Sequence, residues 1–173
     1  RRGSFSLPFS GYKKSHSKFE WLFRNSNINI INRSYQFGLQ QILENMNSQV
    51  LIGCLNNAEA VAEASIKLAK DHIDLVMAGV WGKFAIEDYL AAGEIIHQIS
   101  KKCSDCEIDE YAKSAILASR NPNLVRDAFF DSTSGHKLKN LGYENDISYA
   151  LCQNSTKNVG LYKGNSINKI KFK

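Results

Sequence analysis

Residues 78–96, AGVWGKFAIEDYLAAGEII, set two glycines, a lysine and an adjacent pair of carboxylates where an apolar run gives way to helical spacing. Gly79 and Gly82 let a backbone turn sharply or come close to a ligand. A helix beginning near Ile86 would aim its free N–H groups and the positive end of its dipole at whatever the loop holds, which favours an anion or a carboxylate–metal–phosphate assembly. Glu87 and Asp88 are candidate catalytic groups and candidate ligands for Mg2+, an ion usually held by one or two carboxylates together with substrate phosphate. Lys83 would neutralise substrate charge. Successive helical positions point about 100° apart, so at most one of the two carboxylates faces a small site directly. Acidic residues in a first helical turn are also favoured simply because they complement the dipole.

Such a loop needs elements on both sides to hold it. Apolar runs at 28–32 (INIIN), 49–53 (QVLIG) and 74–79 (DLVMAG) have strand character, and each leads into helical spacing: 34–46 with Gly38 inside it, 56–72, and the helix from about 86. The second of these helices has Asn56 or Asn57 as its N-cap and an alanine-rich body. Strand alternating with helix over short connections predicts an α/β fold in layers, with a mostly parallel or mixed central sheet. Ligands of such sheets bind beyond the carboxyl ends of the strands, where the 78–88 segment falls. Past Lys101 the pattern predicts short helices at 107–119, 121–132 and 136–142, with Pro122 as a helix starter. The chain closes in a predicted hairpin, 158–162 and 166–172, whose alternating lysines suit an exposed edge. The first twenty residues, rich in Ser, Gly and basic side chains, read as an irregular loop.

A chain of 173 residues with 43% apolar and 23% charged residues is long enough for one domain with a real core. No apolar run approaches membrane length, so a soluble protein and no membrane partner are expected. It begins at Arg1-Arg2 without a methionine, which predicts a processed N-terminus or a piece of something longer. The net charge of +5 favours anionic partners. Its lysines and arginines are scattered, and no zinc-finger, RNA-recognition or helix-turn-helix signature is present, which argues against nucleic acid and for a small phosphorylated or sulfonated substrate. Ser, Cys and His form no triad-like arrangement, which argues against acyl transfer. Cys54, Cys103, Cys106 and Cys152 follow no secreted framework, so free thiols in a reducing compartment, the cytoplasm, are expected. Cys103 and Cys106 have metal-ligand spacing but no second pair, so they read as surface thiols rather than a zinc site.

The 78–93 segment resembles the AG-x-x-G-x-F-S-x-E-D-x-x-x-A-G motif of the 2-phosphosulfolactate phosphatase family. VLIGCLNNAEAVAEA (50–64) is similar to that family's strand-to-helix segment. STSGHKLKNLGYENDISYALCQ (132–153) is similar to its S-x-x-G-x-x-L-x-x-L-G-x-x-x-D segment, and VGLYKGNSI sits where the family closes with a hairpin. The likeness runs from about Asn29 to the end. It implies a three-layer α/β/α domain spanning 1–173, corresponding to the C-terminal two thirds of a phosphatase-like chain. It also implies Mg2+-dependent hydrolysis of 2-phospho-3-sulfolactate to 3-sulfolactate and phosphate, with a homodimer as an assembly to test. Matched by position, the resemblance assigns substrate-binding roles to Arg2, Ser17, Asn57, Gly79, Gly82, Gly135 and His136, beside Lys83, Glu87 and Asp88.

Departures from the family pattern are as specific. Lys13 stands where the family's G-F-D-L-G-N-S-P loop has its aspartate, RSYQ (33–36) replaces a T-N-G-T turn, and Ala85 replaces the serine before the Glu-Asp pair. These changes motivate an alternative, a non-catalytic anion-binding or protein-interaction module on the same scaffold. If the family reading holds, the 79–88 loop, the turn at Asn57 and the 2–17 segment should converge on one cleft.

Overall fold

The computed structural model describes residues 4–7, 28–32, 49–80, 83–163 and 166–170. Six strands lie in one mixed sheet: β1 (Ser4–Leu7), β2 (Ile28–Asn32), β3 (Gln49–Gly53), β4 (Ile73–Met77), β5 (Gly160–Lys163) and β6 (Ser166–Lys169), in the order β1-β4-β2-β3-β5-β6. The three central strands, β4, β2 and β3, are parallel. The flanks are antiparallel, β1 on β4 at one side and the β5–β6 hairpin on β3 at the other. The described helices are α1 (Ala58–Leu68), α2 (Ile86–Lys102), α3 (Glu110–Ser119), α4 (Pro122–Asp131), α5 (Thr133–Asn140) and α6 (Glu144–Ala150). A short 3-10 turn, Leu55–Asn57, joins β3 to α1. The helix predicted over 34–46 lies outside the described residues.

Strand side chains alternate between faces. Leu51, Ile73, Leu75 and Met77 form the main core with Val61 and Ala62 of α1 and Ile95, Ile96 and Ile99 of α2. Val50 and Val76, on the other face, are only 2% and 1% exposed, so the sheet is covered on both faces at β3 and β4. Such double burial explains why these strands read as unbroken apolar runs. The α2 helix is buried for most of its length. While Ile95 and Ile99 meet the sheet, Leu90 and Ala91 meet Val125 and Phe129 of α4, Ile147 of α6 and Leu55 in a second cluster. Gly93 lets α3 come close, since a Cβ there would lie 2.1 Å from the Ala115 carbonyl oxygen. Beside it the buried Glu94 accepts from Gln98 Nε2 at 2.7 Å and pairs with Arg120 at the end of α3.

Three expectations change. Part of the opening segment read as loop is β1, whose register runs from Ser4 opposite Val76 to Leu7 opposite Ile73. A four-residue strand completed by pairing with a distant neighbour gives little local signal. Residues 144–150, assigned no element above, form α6. Finally, Cys103 and Cys106 are not free thiols. The chain turns at once after α2, bringing their Cα atoms to 5.5 Å, and the two sulfurs form a disulfide. The inference from free thiols to a reducing compartment fails at this pair. Cys54 and Cys152 are free. No helix among the described residues is long and apolar enough to cross a membrane.

Candidate active site

Parallel register places two βα turns at the same end of the sheet. Asn32 ends β2 opposite both Gly53 of β3 and Met77 of β4. The turn from Cys54 to Asn57 and the loop from Ala78 to Ala85 therefore leave the carboxyl ends of strands two positions apart, about 10 Å at sheet spacing. Ser4, opposite Val76, brings the first described residue of β1 to the same end. Leu7 and Ile28 both pair with Ile73 at the opposite end. Arg2, Ser17 and Gly82 lie outside the described residues, as do Lys13 and the 33–36 segment.

The loop after β4 is a tight backbone turn. Val80 and Lys83 exchange two hydrogen bonds, N–H to O at 3.1 Å and 2.9 Å. Gly79 enters this turn at φ 67°, and a Cβ there would lie 2.5 Å from the Lys83 carbonyl oxygen. Only glycine fits both conditions. Asp88, 2% exposed, reaches back from the first turn of α2 so that its Oδ2 accepts the Gly79 N–H at 2.8 Å. Glu87 stands next to it, with an Oε1 that is buried and has no hydrogen-bond partner among the described residues. Lys83 is exposed, and Phe84 packs its ring on Tyr89 at 5.6 Å between centroids. The N-cap of α2 is Ala85, which has no side chain able to cap.

The turn after β3 is built differently. Asn57, 7% exposed, accepts the Cys54 N–H at 2.9 Å through Oδ1 and donates through Nδ2 to the carbonyls of Ile52 (3.1 Å) and Asn158 (2.9 Å). Asn56 Nδ2 donates to the carbonyls of Tyr149 and Cys152, both at 2.9 Å. Asn57 is the N-cap of α1 by position, but its side chain makes no cap bond. Asn154 makes it instead, its Oδ1 accepting the Glu59 N–H at 2.7 Å. The 149–158 segment thus straps the β3–α1 turn to the approach of β5. Sequence reading named Asn56 and Asn57 as alternative N-caps and missed Asn154, because nothing local in QNSTKN marks a cap for a helix ninety-odd residues earlier.

Gly135 lies inside α5, where a Cβ would sit 2.2 Å from the Phe129 carbonyl oxygen, so it permits close packing of the α4 end on α5. Its N–H is held by the Ser132 N-cap hydroxyl at 2.9 Å. The adjacent His136 is exposed. The hydrogen bonds described here join Gly79 to Asp88 and fix Asn57 at the same end of the sheet, while those of Gly135 serve the α4–α5 junction.

The fold and this end of it define a mixed α/β protein in which a glycine turn delivers a carboxylate-bearing helix to the strand ends. A sequence model of the 2-phosphosulpholactate phosphatase family matches residues 38–165. The chain belongs to that family. It is 47% identical over 127 residues to the 2-phosphosulfolactate phosphatase of Methanothermobacter thermautotrophicus, covering 73% of this chain and 54% of that one. It is 30% identical over 158 residues to the enzyme of the same name from Methanocaldococcus jannaschii, covering 86% and 66%. With a probable 2-phosphosulfolactate phosphatase of Clostridium botulinum the identity is 24% over 168 residues, 95% of this chain and 69% of that protein. The chain thus spans less than two thirds of the first two relatives.

Proposed function

We propose that the protein is a phosphoric monoester hydrolase that releases phosphate from 2-phospho-3-sulfolactate, and that it uses Mg2+. The family match over 38–165 carries this reading, because it takes in both βα turns and the whole of α2. Overall, a water oxygen bonds to phosphorus, the bond from phosphorus to the lactate oxygen breaks, and that oxygen leaves with a proton. The barrier falls mainly through charge neutralisation and positioning. The exposed Lys83 offers a cation at the turn, and the first N–H groups of α2, uncapped by Ala85, offer donors to an anionic oxygen.

Mg2+ fits the donors present. No group of three or more His, Cys, Asp or Glu side chains suited to a metal occurs among the described residues. Mg2+ is usually held by one or two carboxylates together with waters and substrate oxygens. Of the two candidate carboxylates, Glu87 and Asp88, Glu87 would hold it, and its buried Oε1, without a hydrogen-bond partner among the described residues, supports the assignment. When bound, the ion would supply charge neutralisation at the phosphoryl oxygens. Arg2, Ser17, Gly82, Gly135 and His136 stay candidates for substrate contact, and Asn57 acts through the turn it holds.

A three-layer α/β/α scaffold is part of the proposal. Crossovers between parallel strands are right-handed, and the steps from β2 to β3 and from β3 to β4 run in opposite directions across the sheet. Helix α1, between β3 and β4, packs on the face that holds Leu51 and Leu75, and the buried Val50 and Val76 call for a second layer on the other face.

Phosphate release from 2-phosphosulfolactate by the purified protein, with Mg2+ and with a chelator, tests the reading. We expect release that needs the ion and that Glu87→Gln removes. No release under any condition would favour the non-catalytic anion-binding module.

A further inference from the structure

We infer that the two adjacent carboxylates divide the work: Asp88 is a positioning residue that latches the 79–83 turn, and the ion-facing carboxylate is Glu87. The second half rests on the Mg2+ reading above; the first does not. Asp88 is 2% exposed, and its Oδ2 accepts the N–H of Gly79 at 2.8 Å. Gly79 is the residue whose φ of 67° starts the turn. The latch therefore ties the first turn of α2 to the point where the chain leaves β4. With Val80 and Lys83 exchanging backbone bonds inside the turn, the Gly79–Asp88 bond closes the outer loop.

A carboxylate oxygen accepting a backbone N–H makes a charge-assisted bond, stronger than a neutral one. Such a bond fixes the direction of the group. Glu87, about 100° around the helix, cannot share that direction. Its Oε1 is buried with no hydrogen-bond partner among the described residues, a costly arrangement for a carboxylate unless a cation or donor completes it. The family motif holds an adjacent pair at this point, and the geometry gives each member a different task.

Amide hydrogen exchange at Gly79 and Mn2+ binding followed by calorimetry test this, on wild type, Asp88→Ala, Asp88→Asn and Glu87→Gln. Asp88→Asn retains an acceptor for the Gly79 N–H and guards against a general loss of fold in Asp88→Ala. We expect Asp88→Ala to speed Gly79 exchange about tenfold or more relative to neighbouring amides, and Asp88→Asn to restore most of the protection. Glu87→Gln should leave Gly79 protection unchanged and weaken Mn2+ by at least about tenfold, while Asp88→Asn weakens it by less than about threefold. Unchanged Gly79 protection in Asp88→Ala would overturn the latch, and equal loss of Mn2+ in Asp88→Asn and Glu87→Gln would overturn the division. If wild type binds no Mn2+, the ion assignment to Glu87 falls together with the metal reading, and the exchange data still decide the latch.

Discussion

The two βα turns at the carboxyl end of the sheet are alike in topology and opposite in construction. After β3, three asparagines find their partners within the chain: Asn57 binds the turn to itself and to Asn158, Asn56 holds the 149–158 strap, and Asn154 caps α1. After β4, a glycine turn and one carboxylate latch shape the loop, Ala85 leaves α2 without a side-chain cap, and Glu87 keeps a buried oxygen without a hydrogen-bond partner among the described residues. The remaining long helices follow the self-satisfied pattern, with Asp109, Asn121 and Ser132 capping α3, α4 and α5. Polar groups near a strand end thus serve architecture when their partners lie inside the chain. They become candidates for chemistry when those partners are missing.

Substitutions can break this contrast, and the largest effect should come from the turn glycine. Gly79→Ala places a Cβ 2.5 Å from the Lys83 carbonyl oxygen at a φ that disfavours side chains, and should cost about 2–4 kcal/mol in urea unfolding. Phosphate release should fall with it. Asn57→Ala comes next: leaving the Cys54 N–H and the Ile52 and Asn158 carbonyls without their partner should cost about 3 kcal/mol. Per folded molecule, its KM for 2-phosphosulfolactate should change little. Equal loss of phosphate release per folded molecule in Asn57→Ala and Glu87→Gln would erase the difference between the turns.

Smaller changes sharpen the contrast. Asn154→Ala should remove about 1 kcal/mol, the usual value of an N-cap, and Asn154→Asp should recover it because a carboxylate also suits the helix dipole. Thermal unfolding of the two variants reads the difference. The smallest effect concerns pH. Burial and then the Arg120 charge hold His97 below its ordinary range, against the opposing pull of Glu94. The unfolded chain therefore binds more protons at this position, so the stabilisation from a neutral His97 is complete above the unfolded pKa of about 6.5. It is lost as pH falls through the depressed folded value. His97→Gln should make the urea midpoint less sensitive to acid between about pH 7 and pH 5, without touching either turn.

How much of this was legible in the sequence depended on the range of the interaction. β2, with ends read at 28 and 32, and β3, at 49 and 53, coincide with the observed strands, since a short apolar run announces itself locally. Asn121 and Pro122 likewise signal the start of α4 through neighbours two and three residues away. β1, the Asn154 cap and the Glu94–Arg120 pair depend on partners far along the chain. Only Glu94, a carboxylate inside the apolar AAGEII run, left a trace. At the candidate site, residue types placed Gly79, Glu87 and Asp88 together, but which carboxylate turns inward is decided by the backbone of the glycine turn.

The strap across the β3–α1 turn also bears on the order in which the protein is made. Its bonds to Asn56, Asn57 and Glu59 span 93 to 101 residues, so they close large loops and belong among the late contacts of folding. During synthesis, α1, β4 and α2 emerge before Asn154 exists. The start of α1 must meanwhile rely on water for the Glu59 N–H, and β3 has no β5 beside it. Translation past Asn158 would then secure the helix start and close the open side of the parallel strands in one step. A pause or truncation within 150–158 should leave a nascent chain with a frayed α1 and a bare β3 edge, the kind of unpaired strand that recruits chaperones or other copies of itself.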